Sequence, residues 1–169
     1  MTQPLVVVVT PVYNGAAHLE ETLRSVQAQT YPNTLHLILD NASTDATPEI
    51  IERYRDGRVP LLVTRNETLL PQRDNWNRAF ELVPDEAEYV RLLCADDTIA
   101  PDCLTETVAL AETDPEIGVV GSLHTFYGTT HEMFWPEDRQ VFDGPEAVQA
   151  PDDTDFWIGF SERNCLGQA

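Results

Sequence analysis

Asp96 and Asp97 are adjacent carboxylates that follow an apolar run, in the segment LLCADDTIAPDCL of residues 92–104. Two negative charges so close together repel each other unless a cation lies between them or one takes a proton. Carboxylate oxygens are the ligands that hard divalent cations prefer. The pair therefore predicts a site for Mg²⁺ or Mn²⁺. A second interpretation stays open, because acids shortly before Pro101 would also interact favourably with a helix N-terminus.

The segments that must position these acids alternate between two patterns. Short β-branched or apolar runs predict strands that are covered on both faces, and apolar residues at helical spacing between them predict helices. Thr47 is predicted as an N-cap, with Pro48 at the first helical position. This alternation predicts an α/β fold, a mostly parallel sheet with helices on both faces. The predicted strands are 5–10, 35–40, 59–64, 89–94 and 117–127, and the predicted helices contain Leu19 to Val26, Pro48 to Tyr54, Asn75 to Val83 and Pro101 to Ala111.

Polar segments follow three of the predicted strands. They are residues 10–14 (TPVYN), Asp40 with Asn41, and Asp96 with Asp97. Ligands of open parallel sheets bind at the carboxyl ends of the strands, so these segments are expected to converge on one edge. The glycine patterns GxGxxG and GxxxxGK[ST] are absent, and the chain has no lysine. A phosphate ligand would therefore take its counter-charge from a divalent cation held by the carboxylates.

The composition excludes several classes of partner. The formal net charge is -19, from 29 acidic and 10 basic residues, so that long-range electrostatics disfavour nucleic acids and anionic membranes. No apolar run approaches a membrane span, and the first residues lack a signal-peptide pattern, which favours a cytoplasmic protein. The cysteines Cys94, Cys103 and Cys165 have no paired spacing and are expected to be reduced and structural.

Three motifs in order resemble family 2 glycosyltransferases with the GT-A fold. They are SVQAQTYP, LDNASTD and ADDTIAPDCL, and the similarity extends over residues 5–127. The resemblance implies transfer of a sugar from a nucleotide-sugar, UDP- or dTDP-linked, to an acceptor hydroxyl. It also implies inversion at the anomeric carbon, with a divalent metal on the diphosphate. Cell-surface polysaccharide or glycoconjugate synthesis is the expected setting. Residues 1–128 would form the nucleotide-sugar-binding core, and 129–169 would begin an acceptor-side segment that ends early.

The resemblance also suggests site residues. Asp40 would accept a hydrogen bond from the base, which suits uracil or thymine because N3 of each is a donor, and Tyr13 would lie against the base or ribose. Of Asp96 and Asp97, one would contact the ribose and the other would bind the metal. The arginine near the phosphates corresponds to Arg73 or Arg78. The implied nucleotide-binding residues are Thr10, Pro11, Tyr13, Asn14, Asp40, Asn41, Arg73 and Asp96, and the implied metal ligands are Asp96 and Asp97.

The chain departs from the family pattern in two places. Cys94 stands where many relatives have an Asp or a His, which leaves two carboxylates for the metal. The general base that deprotonates the acceptor is expected beyond Ala169. If a base lay within the chain, the candidates would be Glu132, Asp138 and Asp155.

Two other functions stay open. One is a nucleotide-binding module, or a truncated chain, without turnover of its own. The other is a nucleotidyltransferase, although TPVYNGAAH lacks the basic, glycine-rich loop that such enzymes need after the first strand.

Overall fold

A computed structural model describes residues 3–121 and the backbone of a strand at 146–149. The described elements alternate along the chain as predicted. The strands are β1 Val6–Val12, β2 Thr34–Asp40, β3 Leu61–Arg65, β4 Tyr89–Leu92, β5 Ile117–Gly121 and β6 Glu146–Gln149. The helices are α1 Leu19–Gln27, α2 Thr47–Glu52, α3 Gln72–Glu81 and α4 Cys103–Ala111.

The main sheet has four strands in the order β3-β2-β1-β4, and every neighbouring pair is parallel. This confirms the predicted α/β fold with a mostly parallel sheet. The fifth strand of the prediction lies elsewhere, because β5 pairs antiparallel with β6 in a separate two-stranded sheet. Residues 122–127 of that predicted strand lie outside the described residues.

The valines of β1 divide between two faces of the sheet. Val7 and Val9 pack with β2 residues and with Ala79 of α3 on one face. Val6 and Val8 pack on the other face, in a cluster that includes residues of α1 and α4. Successive strand residues point to opposite faces, so an uninterrupted apolar strand is stable only where both faces are covered. Burying one such side chain stabilises the fold by about 1.5–3 kcal/mol.

Pro11 lies within β1, which continues to Val12 rather than ending at Thr10 as predicted. Pairing of β1 with β4 stops at Val9, whereas pairing with β2 continues to Val12. Proline has no N–H to donate, so it is tolerated where one side of a strand has lost its partner. The end of β1 is therefore open toward the segment that follows β4.

Several predicted boundaries differ from the observed ones, and β3, predicted at 59–64, spans Leu61–Arg65. α3 begins at Gln72, three residues before the predicted start at Asn75, and β4 ends at Leu92 instead of Cys94. The first residues of α3 are polar and exposed, and a pattern of apolar residues detects only the buried face of a helix. The early end of β4 leaves Cys94 in the loop with the two acids.

Candidate functional site

The three polar segments converge on one edge of the sheet, as predicted. β1 and β2 end as registered neighbours, with Val12 opposite Asp40. β4 ends beside β1, where the Leu93 N–H donates to the Val9 carbonyl at 2.9 Å. The acids at 96 and 97 therefore follow a strand that flanks β1 on one side, while Asp40 ends the strand that flanks it on the other. Parallel strands place such groups at a common edge.

Gly15 brings the loop after β1 against the loop after β4. A Cβ added at Gly15 would lie 2.6 Å from Val12 Cγ2 and 3.6 Å from Ala95 Cβ. A Cβ so close to Val12 would force the valine or the loop to shift, which favours glycine at this position. The neighbouring residue Asn14 takes the positive φ of this turn, at 49°. Asparagine tolerates that conformation better than most residues.

The loop after β1 is joined to the loop after β2 by side chains of the STDAT segment. Three consecutive backbone N–H groups of the first loop donate to side chains of the second, so these amides are already used within the protein. In return, the Asn14 Oδ1 accepts from the Thr44 N–H at 2.8 Å. The three donations are Asn14 to Ser43 Oγ at 2.9 Å, Gly15 to Thr47 Oγ1 at 2.9 Å, and Ala16 to Asp45 Oδ2 at 3.0 Å.

Asp45 connects the two loops as an acceptor on both sides. One oxygen accepts from the Ala16 N–H, and the other accepts from the Thr47 N–H at 3.0 Å. Desolvation by itself would raise the pKa of Asp45, but hydrogen bonds from Thr47 and Ala16 outweigh it and lower the pKa. The ionised form is thus the one that holds the loops together. Sequence reasoning did not select Asp45, although its place between two loop hydroxyls in STDAT was visible.

The prediction that Thr47 is an N-cap was wrong. The N-cap of α2 is Ala46, which has no side-chain cap, and Thr47 is the first helical residue. The Thr47 hydroxyl accepts from Gly15 instead. A Thr-Pro sequence fits a helix start equally well in either register, and the tertiary contact with the loop after β1 decides between them.

Asp40 is buried, and both of its carboxylate oxygens already accept a hydrogen bond. Oδ1 accepts from the Ser43 N–H at 2.9 Å, and Oδ2 accepts from Arg65 Nη1. Arg65 Nη2 also donates to the Ser43 carbonyl at 2.7 Å. Each carboxylate oxygen has a further lone pair, so Asp40 retains capacity for a base N–H. Arg65 was not selected from the sequence, although it is the last residue of a strand that ends at this edge.

Asn41, one of the implied nucleotide-binding residues, is hydrogen-bonded within the protein. It is buried, its Nδ2 donates to the Leu70 carbonyl at 2.9 Å, and its Oδ1 accepts from the Leu70 N–H and from Asn66 Nδ2. Asn66 Nδ2 also donates to Asn75 of α3. Asn41 thus holds the loop between β3 and α3 in place.

The remaining candidate nucleotide-binding residues differ in how far they are buried. Thr10 is fully buried, and its hydroxyl is hydrogen-bonded to His36 Nε2 at 2.9 Å in the core. Pro11 is buried in β1, whereas Tyr13 is 48% exposed at the loop tip. Arg73 is an exposed residue of the first turn of α3, and it pairs with the neighbouring Asp74.

Asp96 and Asp97 lie well before α4, which starts at Cys103 with Asp102 as its N-cap. They are therefore outside the first turn of that helix, where its dipole acts. A turn closed by the Asp97 N–H and the Cys94 carbonyl, at 3.1 Å, gathers the three side chains. Cys94 Sγ and one oxygen of each acid lie within 4.8 Å of one another. The donor set suits a divalent cation, because two of its three atoms are carboxylate oxygens.

The charges of this cluster destabilise its anionic forms. Desolvation and the negative charge of Asp96 raise the pKa of Asp97, although a hydrogen bond from the Cys94 side chain and the charge of Arg91 partly oppose the rise. Desolvation, with Asp97 and Asp96 adding to it, raises the pKa of Cys94 to about 12. A cation bound here would remove this repulsion. Within residues 3–121, neither Cys94 nor Cys103 forms a disulfide.

The general-base candidates Glu132, Asp138 and Asp155, and residues 129–169 as a whole apart from the strand at 146–149, lie outside the described residues. Of the helices within residues 3–121, none combines the length and the apolar character that crossing a bilayer requires.

Comparison with known proteins gives three informative relatives. TuaG of Bacillus subtilis strain 168 is 34% identical over 105 residues, which are 60% of this chain and 40% of TuaG. The crystal structure of Staphylococcus aureus TarS 1–349 in complex with UDP-GlcNAc has a TM-score of 0.63 and 26% identity, covering 77% of this chain and 38% of that one. Mannosyltransferase PcManGT from Pyrobaculum calidifontis, in complex with GDP-Man and Mn²⁺, has a TM-score of 0.65 and 27% identity, covering 75% and 37%. This chain thus spans less than half the length of these relatives.

The family model for "Glycosyl transferase family 2" matches residues 7–163, which is most of the chain. The four-stranded parallel sheet and its helices have the GT-A fold of the structural neighbours. The family match, which extends over most of the chain, leads to one conclusion: this chain belongs to glycosyltransferase family 2.

Proposed function

We propose that this chain binds the donor of an inverting glycosyltransferase, a UDP- or dTDP-sugar, together with Mg²⁺ or Mn²⁺. The transferred sugar goes to an acceptor hydroxyl in cell-surface polysaccharide or glycoconjugate synthesis. TarS supports this setting, since its name describes a poly(ribitol-phosphate) β-N-acetylglucosaminyltransferase and it has been crystallised with UDP-GlcNAc. PcManGT binds GDP-Man, which makes a guanine nucleotide the competing donor.

One observation carries the proposal. A buried carboxylate at the end of β2 and a cluster with two carboxylates after β4 lie on either side of the end of β1. Asp40 provides an acceptor for a base N–H, and the Asp96–Asp97 pair provides oxygens for a dication. A nucleoside diphosphate has a base at one end and an anionic diphosphate at the other, so it can use both groups at once.

Each group has a distinct task in this proposal. Asp40 and the exposed ring of Tyr13 bind the base, and Asp96 and Asp97 hold the metal. When bound, the metal stabilises the negative charge that grows on the leaving diphosphate. The acceptor hydroxyl must lose its proton to a general base as it attacks. That base stays a prediction for the region downstream of the described core.

Titration calorimetry tests donor binding. UDP is titrated with Mg²⁺, with Mn²⁺ and with EDTA, and ADP and GDP are titrated under the same conditions. We expect UDP to bind with either metal, to bind much more weakly in EDTA, and to be preferred over ADP. Tight binding of UDP in EDTA would contradict the proposal that the metal takes part in donor binding. Preference for GDP over UDP would mean that the donor is a GDP-sugar instead.

The alternative is a nucleotide-binding module without turnover, and UDP release from UDP-GlcNAc and UDP-glucose distinguishes the two. If the chain binds the nucleotide-sugar but releases no UDP, even when candidate hydroxyl acceptors are present, the result favours the binding module. We also propose that the chain is cytoplasmic, because the two described cysteines form no disulfide, as is usual in reducing compartments.

A further inference from the structure

Cys94 belongs to the same cluster as the two acids rather than to the hydrophobic core. Its Sγ and one oxygen each of Asp96 and Asp97 form the one group of potential metal ligands found among residues 3–121, with all three atoms within 4.8 Å of one another. Atoms bonded to one ion at about 2.0–2.3 Å lie roughly 3–4.5 Å apart. The cluster therefore needs only small side-chain movements to coordinate an ion through all three atoms.

The backbone holds the thiol at this position. The Leu93 N–H is bonded to the Val9 carbonyl, and the Thr22 hydroxyl donates to the Ala95 carbonyl at 3.0 Å. The turn from Cys94 to Asp97 lies between these anchors. Cys94 is half-buried, which distinguishes it from a solvent-exposed cysteine near a site by chance.

We infer that Cys94 is a third protein ligand of the metal and makes the site select thiophilic divalent ions over Mg²⁺. This inference rests on the proposed function, since it concerns the metal of that same site. On coordination the S–H bond of Cys94 breaks, its proton passes to solvent, and an S–metal bond forms, because a coordinating thiol is deprotonated. Sulfur is a poor ligand for Mg²⁺ and a good one for softer ions such as Zn²⁺. Mn²⁺ and Co²⁺ are therefore expected to bind more tightly here than Mg²⁺.

Co²⁺ provides a readout that does not depend on turnover. A thiolate bound to Co²⁺ absorbs in the near ultraviolet by charge transfer, whereas oxygen ligands do not. The full chain is titrated with Co²⁺ in the presence of UDP, as wild type, as Cys94→Ser and as the double variant Cys103→Ala/Cys165→Ser. The double variant retains Cys94 as its one thiol. A band in this variant would therefore identify Cys94 as the ligand even if Cys94→Ser failed to fold.

We expect the charge-transfer band in the wild type and in the double variant, and its loss in Cys94→Ser. Changing even an outer partner of a metal ligand weakens metal binding about 10- to 100-fold, so loss of the thiol should weaken Co²⁺ binding by at least about tenfold. The affinity for Mg²⁺ should change far less. Cys94→Asp should lose the band and shift the preference toward Mg²⁺.

The outcomes separate this inference from the proposed function. If Co²⁺ supports UDP binding but the double variant shows no band, Cys94 is not a ligand and the proposed function stands. A band that persists in Cys94→Ser leads to the same conclusion. If UDP binds with none of the metals, the proposed function itself fails.

Discussion

The guanidinium of Arg65 lies against the buried carboxylate of Asp40, with Nη1 2.5 Å from Oδ2. The two residues end β3 and β2 and are registered partners in the sheet. The Asp40 side chain is 3% exposed and that of Arg65 is 48% exposed. An exposed arginine is thus paired with a buried carboxylate, at the place where a base is expected to bind.

Asp40→Asn should weaken UDP binding by roughly 1.5–3 kcal/mol, the usual range for a hydrogen bond to a charged group. The change keeps the shape of the side chain but removes the charge that a base N–H would meet. Calorimetry with UDP measures the loss, and Asp56→Asn, at an exposed position, is the matched control. Circular dichroism must first show that the variant is folded, because Arg65 also loses its partner. Unchanged UDP affinity in a folded variant would remove Asp40 from the base site.

Asp45→Ala should destabilise the fold by about 1–3 kcal/mol, since it leaves two loop N–H groups without their acceptor. UDP should also bind more weakly, because the loop with Tyr13 is no longer held to the loop after β2. Urea denaturation and UDP titration measure the two effects. Asp85→Ala is a control at an exposed acid. Stability equal to that of the control would mean that the two loops are held together without Asp45.

Tyr13→Ala should weaken UDP binding by about 1–3 kcal/mol, the range for an aromatic ring that stacks on a base. Tyr13→Phe retains the ring and should bind nearly as well as the wild type. Because the side chain is 48% exposed, neither change should alter the stability much. Equal weakening by both substitutions would assign the role to the hydroxyl instead of the ring.

His36 predicts a specific pH dependence of stability. Burial lowers its pKa from 6.5 to about 3, so the folded state holds the neutral ring. Below pH 6.5 the unfolded chain binds a proton that the folded chain does not, and stability therefore falls as the pH decreases toward about 3. The slope from this one group is at most about 1.4 kcal/mol per pH unit.

His36→Gln removes this contribution, so the stability difference between variant and wild type should change steadily from pH 6.5 to pH 4. Urea denaturation across that range measures it, and comparison with the wild type cancels the titration of the acids common to both. His18→Gln, at an exposed histidine, is the control. Parallel pH profiles for wild type and His36→Gln would show that His36 binds its proton equally in the folded and unfolded chains, so that its pKa is not lowered by burial.

Much of this protein follows from local sequence. The apolar run of β1 requires cover on both faces, and alternation with amphipathic segments then leads to a parallel sheet. Because the strands are parallel, Asp40 and the Asp96–Asp97 pair lie at the same edge of the sheet, where the strands end. These features were predictable because hydrophobic burial depends mainly on the residue type and its periodicity.

The partners of the polar side chains were decided by tertiary structure. Arg65 meets Asp40 because of the register between β2 and β3, and Thr10 turns into the core because His36 lies on the neighbouring strand. Thr47 accepts from a residue 32 positions away. Cys94 lies beside the two acids because β4 ends at Leu92 and the chain then turns between Cys94 and Asp97. A hydrogen bond or a metal ligand set depends on positions within a fraction of an ångström, and residues distant in sequence reach those positions only when the strands are paired and the loops are closed.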